Sequence, residues 1–178
     1  MADTLPLAEA KSLVARARAG DLSALEHLYR AYERPVYTLA RRLTRTADDA
    51  EDVLQETFLE VCRSLKQWRG EGSLWGWIRT VAASKAMMRY RREKLRQWEP
   101  LEDNVAQRAG DVPLQLDLEA ALARLSDRSR AVVWLHDVEG YTHEEIAELM
   151  GMTTSFSKSQ LARAHERLRQ WLGEGVQT

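Results

Sequence analysis

The sequence is short of nearly everything that a strand-rich, secreted or membrane-spanning protein needs. It holds one cysteine, Cys62, in 178 residues, which excludes an internal disulfide framework and fits a reducing compartment. Glycine occurs 9 times and proline 4 times, too seldom to punctuate a many-stranded sheet, and no stretch alternates apolar with polar residues as a half-buried strand does. No apolar run approaches the ~20 residues that a membrane span takes. The first residues, MADTLPLAEAKSL, lack a basic segment followed by an apolar one and do not read as a signal peptide. A cytoplasmic protein without membrane insertion is expected. Excess charge of one sign is missing too: the formal net charge is −1, which excludes a uniformly basic coat for nucleic acid but leaves room for local patches. The constellations of catalysis are also absent. His27, His136, His143 and His165 lack metal-ligand spacing, and His143-Glu144 opens like an HExxH zinc motif only to meet Ala147 where the second histidine must stand. With no glycine-rich phosphate loop and no Ser–His or Cys–His arrangement, no enzyme, metal or cofactor is expected.

What is present is helix. Hydrophobic residues at 44% and charged residues at 30% suit a globular chain, and the apolar positions recur at helical spacing, so the fold class is all-α. Residues 141–169 carry the clearest pattern. Thr142 followed by Glu145 has the spacing of a capping box, Ile146, Ala147, Leu149 and Met150 share one face, and Gly151 stands where a helix ends in a left-handed residue. Thr153-Thr154-Ser155 offers the next start, and a second helix runs through Leu161, Ala164 and Leu168. Two helices around a glycine turn, the second rich in Lys, Arg, Ser and Gln, read as a helix-turn-helix, whose second helix enters the DNA major groove. A plain helical hairpin in an all-α core is the alternative.

Earlier in the chain, helices are expected over 9–19, then from Asp21 with a break or kink at Pro35, then over 48–67 and from Leu74 to Trp98. Residues 99–117 change character: Pro100, Gly110 and Pro113, five acidic residues and a single basic one, Arg108, make a linker composition. Two further helices, Leu118–Leu125 and Ser129–Asp137, lead into the hairpin. Two small helical domains follow, residues 1–98 and 118–178, joined by 99–117.

Charge is segregated between two helices. From 48 to 60 there are six acids (Asp48, Asp49, Glu51, Asp52, Glu56, Glu60) and no base. Asp49, Asp52, Glu56 and Glu60 line one face, with Gln55 among them. The face is either solvated or a dock for a basic partner. The helix after Leu74 is the opposite: Arg79, Lys85, Arg89, Arg91, Arg92, Lys94 and Arg96 against Glu93. Trp68, Trp75 and Trp77 precede or open it, and a basic track beside aromatics suits melted nucleic acid, whose phosphates need cations and whose bases stack. Trp77, with Ile78, Val81 and Ala82, is expected in the core; Trp68 and Trp75 are open to either role.

Taken together, an acidic docking helix, a basic-aromatic helix and a helix-turn-helix after a linker resemble a bacterial extracytoplasmic-function sigma factor, of the sigma-70 family. DAEDVLQETFLEVCRSL looks like that family's core-binding helix, LSDRSRAVVWLHDVEGYTHEEIAELMGM (125–152) like the start of its region four, and KSQLARAHERLR (158–169) like its recognition helix. The resemblance implies a promoter-specificity subunit of RNA polymerase. Asp48, Asp49, Asp52, Gln55, Glu56 and Glu60 would bind the clamp helices of the core enzyme, and the polymerase flap is a second expected contact. Trp68, Arg69, Trp75, Ser84, Lys85, Met88, Arg89, Arg91 and Arg92 would open and hold the minus-ten element, where extruding a base costs a few kcal/mol. Thr142, Thr154, Ser155, Ser157, Lys158, Ser159, Gln160, Ala162, Arg163 and Arg167 would meet the minus-thirty-five element, and the acidic linker would thread the polymerase.

An anti-sigma factor or another inhibitor is the further partner implied, and the free chain is expected to be monomeric. The chain departs from the family pattern at Thr80, Ser84 and Met87-Met88, at Ser155-Phe156-Ser157 in place of a frequent Gly-Thr-Val, and at Gln160 in place of a frequent Arg. Gln pairs with adenine where Arg prefers guanine, so Gln160 is expected to make a phosphate contact or an altered base contact. A stand-alone helix-turn-helix regulator that binds operators as a dimer is the second reading, and a protein-only adaptor the third.

Overall fold

The computed structural model describes residues 5–97 and 118–173, without the side chains of 93–97. Among the described residues every regular element is a helix. The chain divides into two compact units, Met1–Arg89 and Tyr90–Thr178. The expected linker, 99–117, lies outside the described residues, as do the side chains of Glu93, Lys94 and Arg96.

In the first unit, α1 (Leu7–Arg18) leads into α2 (Leu22–Leu43), which packs on α3 (Ala47–Ser64). Asp21 caps α2, its carboxylate accepting from the backbone N–H of Ser23 and Ala24. The buried residues of α2, namely Ala24, Leu28, Tyr32, Val36, Leu39, Ala40 and Leu43, recur every three or four positions and form the spine of this core. Burying each large apolar side chain is worth about 1.5–3 kcal/mol. That explains why, of the break or kink expected at Pro35, the break does not form and α2 runs through it. Proline removes one backbone hydrogen bond at a cost of about 3 kcal/mol, and Tyr32 and Val36, both 0% exposed beside it, hold the helix continuous. Thr46 caps α3 by accepting from the Asp49 N–H. A 3-10 turn, Leu65–Gln67, follows α3, and α4 (Leu74–Gln97) closes the core with Leu74, Ile78, Ala82, Ala83, Ala86 and Met87.

In the second unit, α5 (Leu118–Arg124), α6 (Asp127–Val133), a wide π turn (Trp134–Val138), α7 (His143–Met150) and α8 (Thr154–Gly173) surround a separate core. The helix expected over Ser129–Asp137 thus ends four residues early and widens into the π turn, which the Glu139 N–H closes onto the Trp134 carbonyl at 3.0 Å. Helix α8 packs on α5, α6 and α7, burying Leu161, Ala164 and Leu168 among Leu125, Val132, Leu135 and Ile146.

Candidate polymerase and DNA interfaces

The helix-turn-helix forms as its residues dictate. Thr142 accepts from the Glu145 N–H while the Glu145 carboxylate takes the Thr142 N–H at 2.7 Å, a complete capping box. Gly151 ends α7 at φ 64°, ψ 42°, a left-handed conformation open to glycine at little cost. Thr153 caps the next helix by accepting from the Phe156 N–H at 3.1 Å.

Helix α8 then sorts the expected DNA residues by face. Ser155, Lys158, Ser159, Ala162 and Arg163 are exposed, Thr154 and Arg167 are half-buried, and Thr142 is exposed one helix earlier. Ser157 and Gln160 are corrections, for they face inward at 0% and 2% exposure. Gln160 Oε1 accepts from Ser129 Oγ at 3.1 Å, and Ser157 Oγ lies 3.0 Å from His143 Nδ1. Neither side chain is available to a base or a phosphate in this arrangement. The reason is periodic: 157, 160, 161, 164 and 168 are one helix face, and the packing of α8 on α6 and α7 claims it.

The acidic and basic helices of the first unit, read separately as docks for different partners, are tied to each other. Arg89 bridges Asp49 at 2.5 Å and Asp52 at 2.9 Å, and Lys85 meets Glu60 at 3.0 Å. A hydrogen bond from the Thr46 hydroxyl, then the Arg89 guanidinium, outweigh burial and hold the Asp49 carboxyl below its usual value. The side chain of Asp49 is 15% exposed, whereas that of Asp52 is 53% exposed. The open stripe of α3 is therefore Asp48, Glu51, Asp52, Gln55 and Leu59, with Glu56 and Glu60 half-buried. Leu59 was not foreseen. It is 56% exposed, and its position four residues after Gln55 and seven after Asp52 was the available signal.

Of the tryptophans, Trp77 was expected in the core and Trp68, open to either role, was also expected at the minus-ten element. Trp68 is core at 5% exposure, while Trp77 is only half-buried beside the buried Ile78 and Ala82. Trp75, half-buried, stacks parallel to Tyr32 with centroids 6.1 Å apart. Ser84 and Met88 are half-buried, and Arg69, Arg91 and Arg92 are exposed. The sequence also gave no sign of Arg18. Its guanidinium donates to the Leu65 carbonyl at 2.8 Å and 3.2 Å and to the Trp68 carbonyl. These bonds hold the start of the 68–73 loop, in which Gly70 and Gly72 take positive φ.

Among the described residues, no group of His, Cys, Asp and Glu is placed to hold a metal ion, and no helix is long and apolar enough to cross a membrane.

Two helical units, one closing on a helix-turn-helix with an exposed basic face, are the frame of a modular DNA-binding protein. Known proteins narrow this. Residues 28–96 match the family description Sigma-70 region 2, and residues 115–168 match Sigma-70, region 4. The chain is 34% identical over 163 residues to the ECF RNA polymerase sigma factor SigM of Mycobacterium tuberculosis, covering 90% of this chain and 83% of that one. It is 32% identical to the RNA polymerase sigma factor CarQ of Myxococcus xanthus, covering 89% and 95%. In fold it is similar to the sigma factor RpoE of Bartonella quintana, solved in complex with the anti-sigma factor NepR, at a TM-score of 0.55 and 22% identity over 83% of this chain and 96% of that one. It is also similar to CnrH in complex with the cytosolic domain of CnrY, at 0.52 and 20% over 90% and 95%. The chain belongs to the extracytoplasmic-function sigma factors of the sigma-70 family, the RNA polymerase subunits of promoter-specific transcription initiation.

Proposed function

We propose that the two units divide the work of promoter recognition, the first docking on core polymerase and opening the minus-ten element, the second reading the minus-thirty-five element as duplex. The observation that carries this reading is the sorting of α8: its inward face is apolar or hydrogen-bonded, and its outward N-terminal face presents Ser155, Lys158, Ser159 and Arg163. A recognition helix needs that division, because the N-terminal residues of the second helix are the ones that meet base edges.

On α3, Asp48, Asp52, Gln55 and Leu59 are the accessible docking residues, with the clamp helices of the polymerase as their partner. Arg69 in the first unit and, on the continuation of α4, Arg91 and Arg92 are the exposed cations proposed for minus-ten phosphates, and Trp75 is the proposed stacking residue. Lys85 and Arg89 act there by holding α4 on α3 through the carboxylates of Glu60 and Asp49. An inhibitor of the kind named in the Bartonella quintana complex is proposed for this chain as well.

Footprinting of reconstituted holoenzyme tests the assignment of α8. Lys158→Ala should weaken binding across all sequences and lower the salt slope by about one if it contacts a phosphate. Arg163→Ala should remove protection of the upstream element while leaving protection around the start site. Loss of start-site protection alone would contradict the division of labour.

A further inference from the structure

Three of the four histidines, His136, His143 and His165, gather on one side of the helix-turn-helix. His143 is the first residue of α7. Its Nδ1 lies 3.0 Å from Ser157 Oγ, and its ring stacks on that of His136 with centroids 4.6 Å apart and planes 25° from parallel. His136 Nδ1 meets one oxygen of Asp137 at 2.8 Å, and His165 Nε2 meets the other at 2.6 Å. Helix α8 is therefore held at two points, at Ser157 through His143 and at His165 through the π turn. Eight residues along a helix span about 12 Å, so the pair of tethers fixes the rotation of α8 as well as its position. Ser157 is fully buried and immediately precedes the exposed Lys158 and Ser159; any rotation at 157 re-aims both.

We propose that His143 is a positioning residue for the DNA-reading face of α8: bonded to Ser157 and stacked on His136, its neutral ring sets the first turn of the helix, and a proton on it lowers sequence discrimination. The inference rests on the reading that α8 meets duplex DNA. The charges around the ring decide the sign. His136 and Asp137 face it from the π turn, Glu144 from α7 and Lys158 from α8. Burial, then His136 and Lys158, disfavour the protonated ring more than Glu144 and Asp137 favour it, so His143 sits below the usual 6.5. A group with a lowered value contributes stability when neutral and loses it as pH falls through that range. A charged His143 ring on α7 faces the like charge of Lys158 on α8, and relief comes by moving α7 against α8. The added charge also attracts phosphate whatever the sequence. The quantity that falls on acidification is therefore the ratio of specific to non-specific affinity, while non-specific binding holds or rises.

The experiment measures binding of holoenzyme to a promoter duplex selected by the wild-type holoenzyme, and to the same duplex with its upstream element scrambled, at constant ionic strength. For the wild type the affinity ratio should drop about fivefold from about pH 8 to about pH 5, well below the ordinary 6.5 of a histidine, a size typical of linked equilibria. His143→Asn puts an uncharged hydrogen-bonding group where Nδ1 lies, and should keep a high ratio that is flat with pH. His143→Ala and Ser157→Ala should both lower the ratio at pH 8 while circular dichroism reports unchanged helix. A His143→Asn profile that tracks the wild type, or a Ser157→Ala ratio equal to wild type, overturns the proposal for His143 alone. A wild-type holoenzyme that binds both duplexes equally at every pH overturns the DNA-reading role of α8, and this inference with it.

Discussion

Gln160 illustrates how a residue's face decides its meaning. Its amide accepts from Ser129 Oγ inside the second core at 2% exposure, so its truncation acts on folding rather than on base choice. Gln160→Ala leaves the Ser129 hydroxyl without that partner and should cost about 1–3 kcal/mol, read as a lower melting temperature. The set of promoters bound by the variant holoenzyme should stay unchanged; a shifted base preference would put the side chain at the DNA after all. Asp49 gives a prediction in pH. The Thr46 hydroxyl, then Arg89, hold its carboxyl below the ordinary 3.8. The stabilisation is therefore complete above that value and lost as pH falls below it. Asp49→Asn should flatten the acid limb of the melting-temperature profile below about pH 4, and an unchanged limb would mean that the carboxylate is not tied to Thr46 and Arg89. The residue types at both sites were legible in the sequence. Their distant partners were not, because Ser129 and Arg89 lie far along the chain and a bond between separate elements leaves no local spacing.

At the scale of elements, the helix-turn-helix was the most legible part. Capping box, left-handed glycine and restart at Thr153 are local devices whose physics is complete within a few residues, and each formed where its spacing placed it. The helices α3 and α4 were harder. Their opposite charges were plain, but whether the charges serve outside partners or each other depends on packing. Here Asp49 and Glu60 are spent on Arg89 and Lys85, while Asp52 also meets Arg89 but keeps a side chain 53% exposed and open to a partner. Pro35 does not interrupt α2 for a related reason: a local breaker was overridden by the core that Tyr32 and Val36 fill. Leu59, exposed among Asp52 and Gln55, is the element-scale test. Leu59→Asp should change stability by no more than about 0.5 kcal/mol, as surface substitutions do, while weakening capture by core polymerase at least as much as charge reversal at Asp52. Normal capture by a folded Leu59→Asp chain would remove this stripe from the interface.

For the whole molecule, the informative feature is the combination. A helix-turn-helix alone fits many regulators, an acidic helix alone can be a solvated face, and a basic helix with tryptophans alone can be core. Joined in one chain of −1 net charge, they describe a protein that meets a large partner with one surface and DNA with others. The family matches cover both units. The most direct test is run-off transcription by core polymerase with and without the purified chain, on genomic promoter fragments that the reconstituted enzyme retains. The account predicts a transcript with one discrete start that depends on the chain and is lost with Asp52→Arg. A chain that fails to bind core, yet shifts duplex DNA as a dimer, would contradict it.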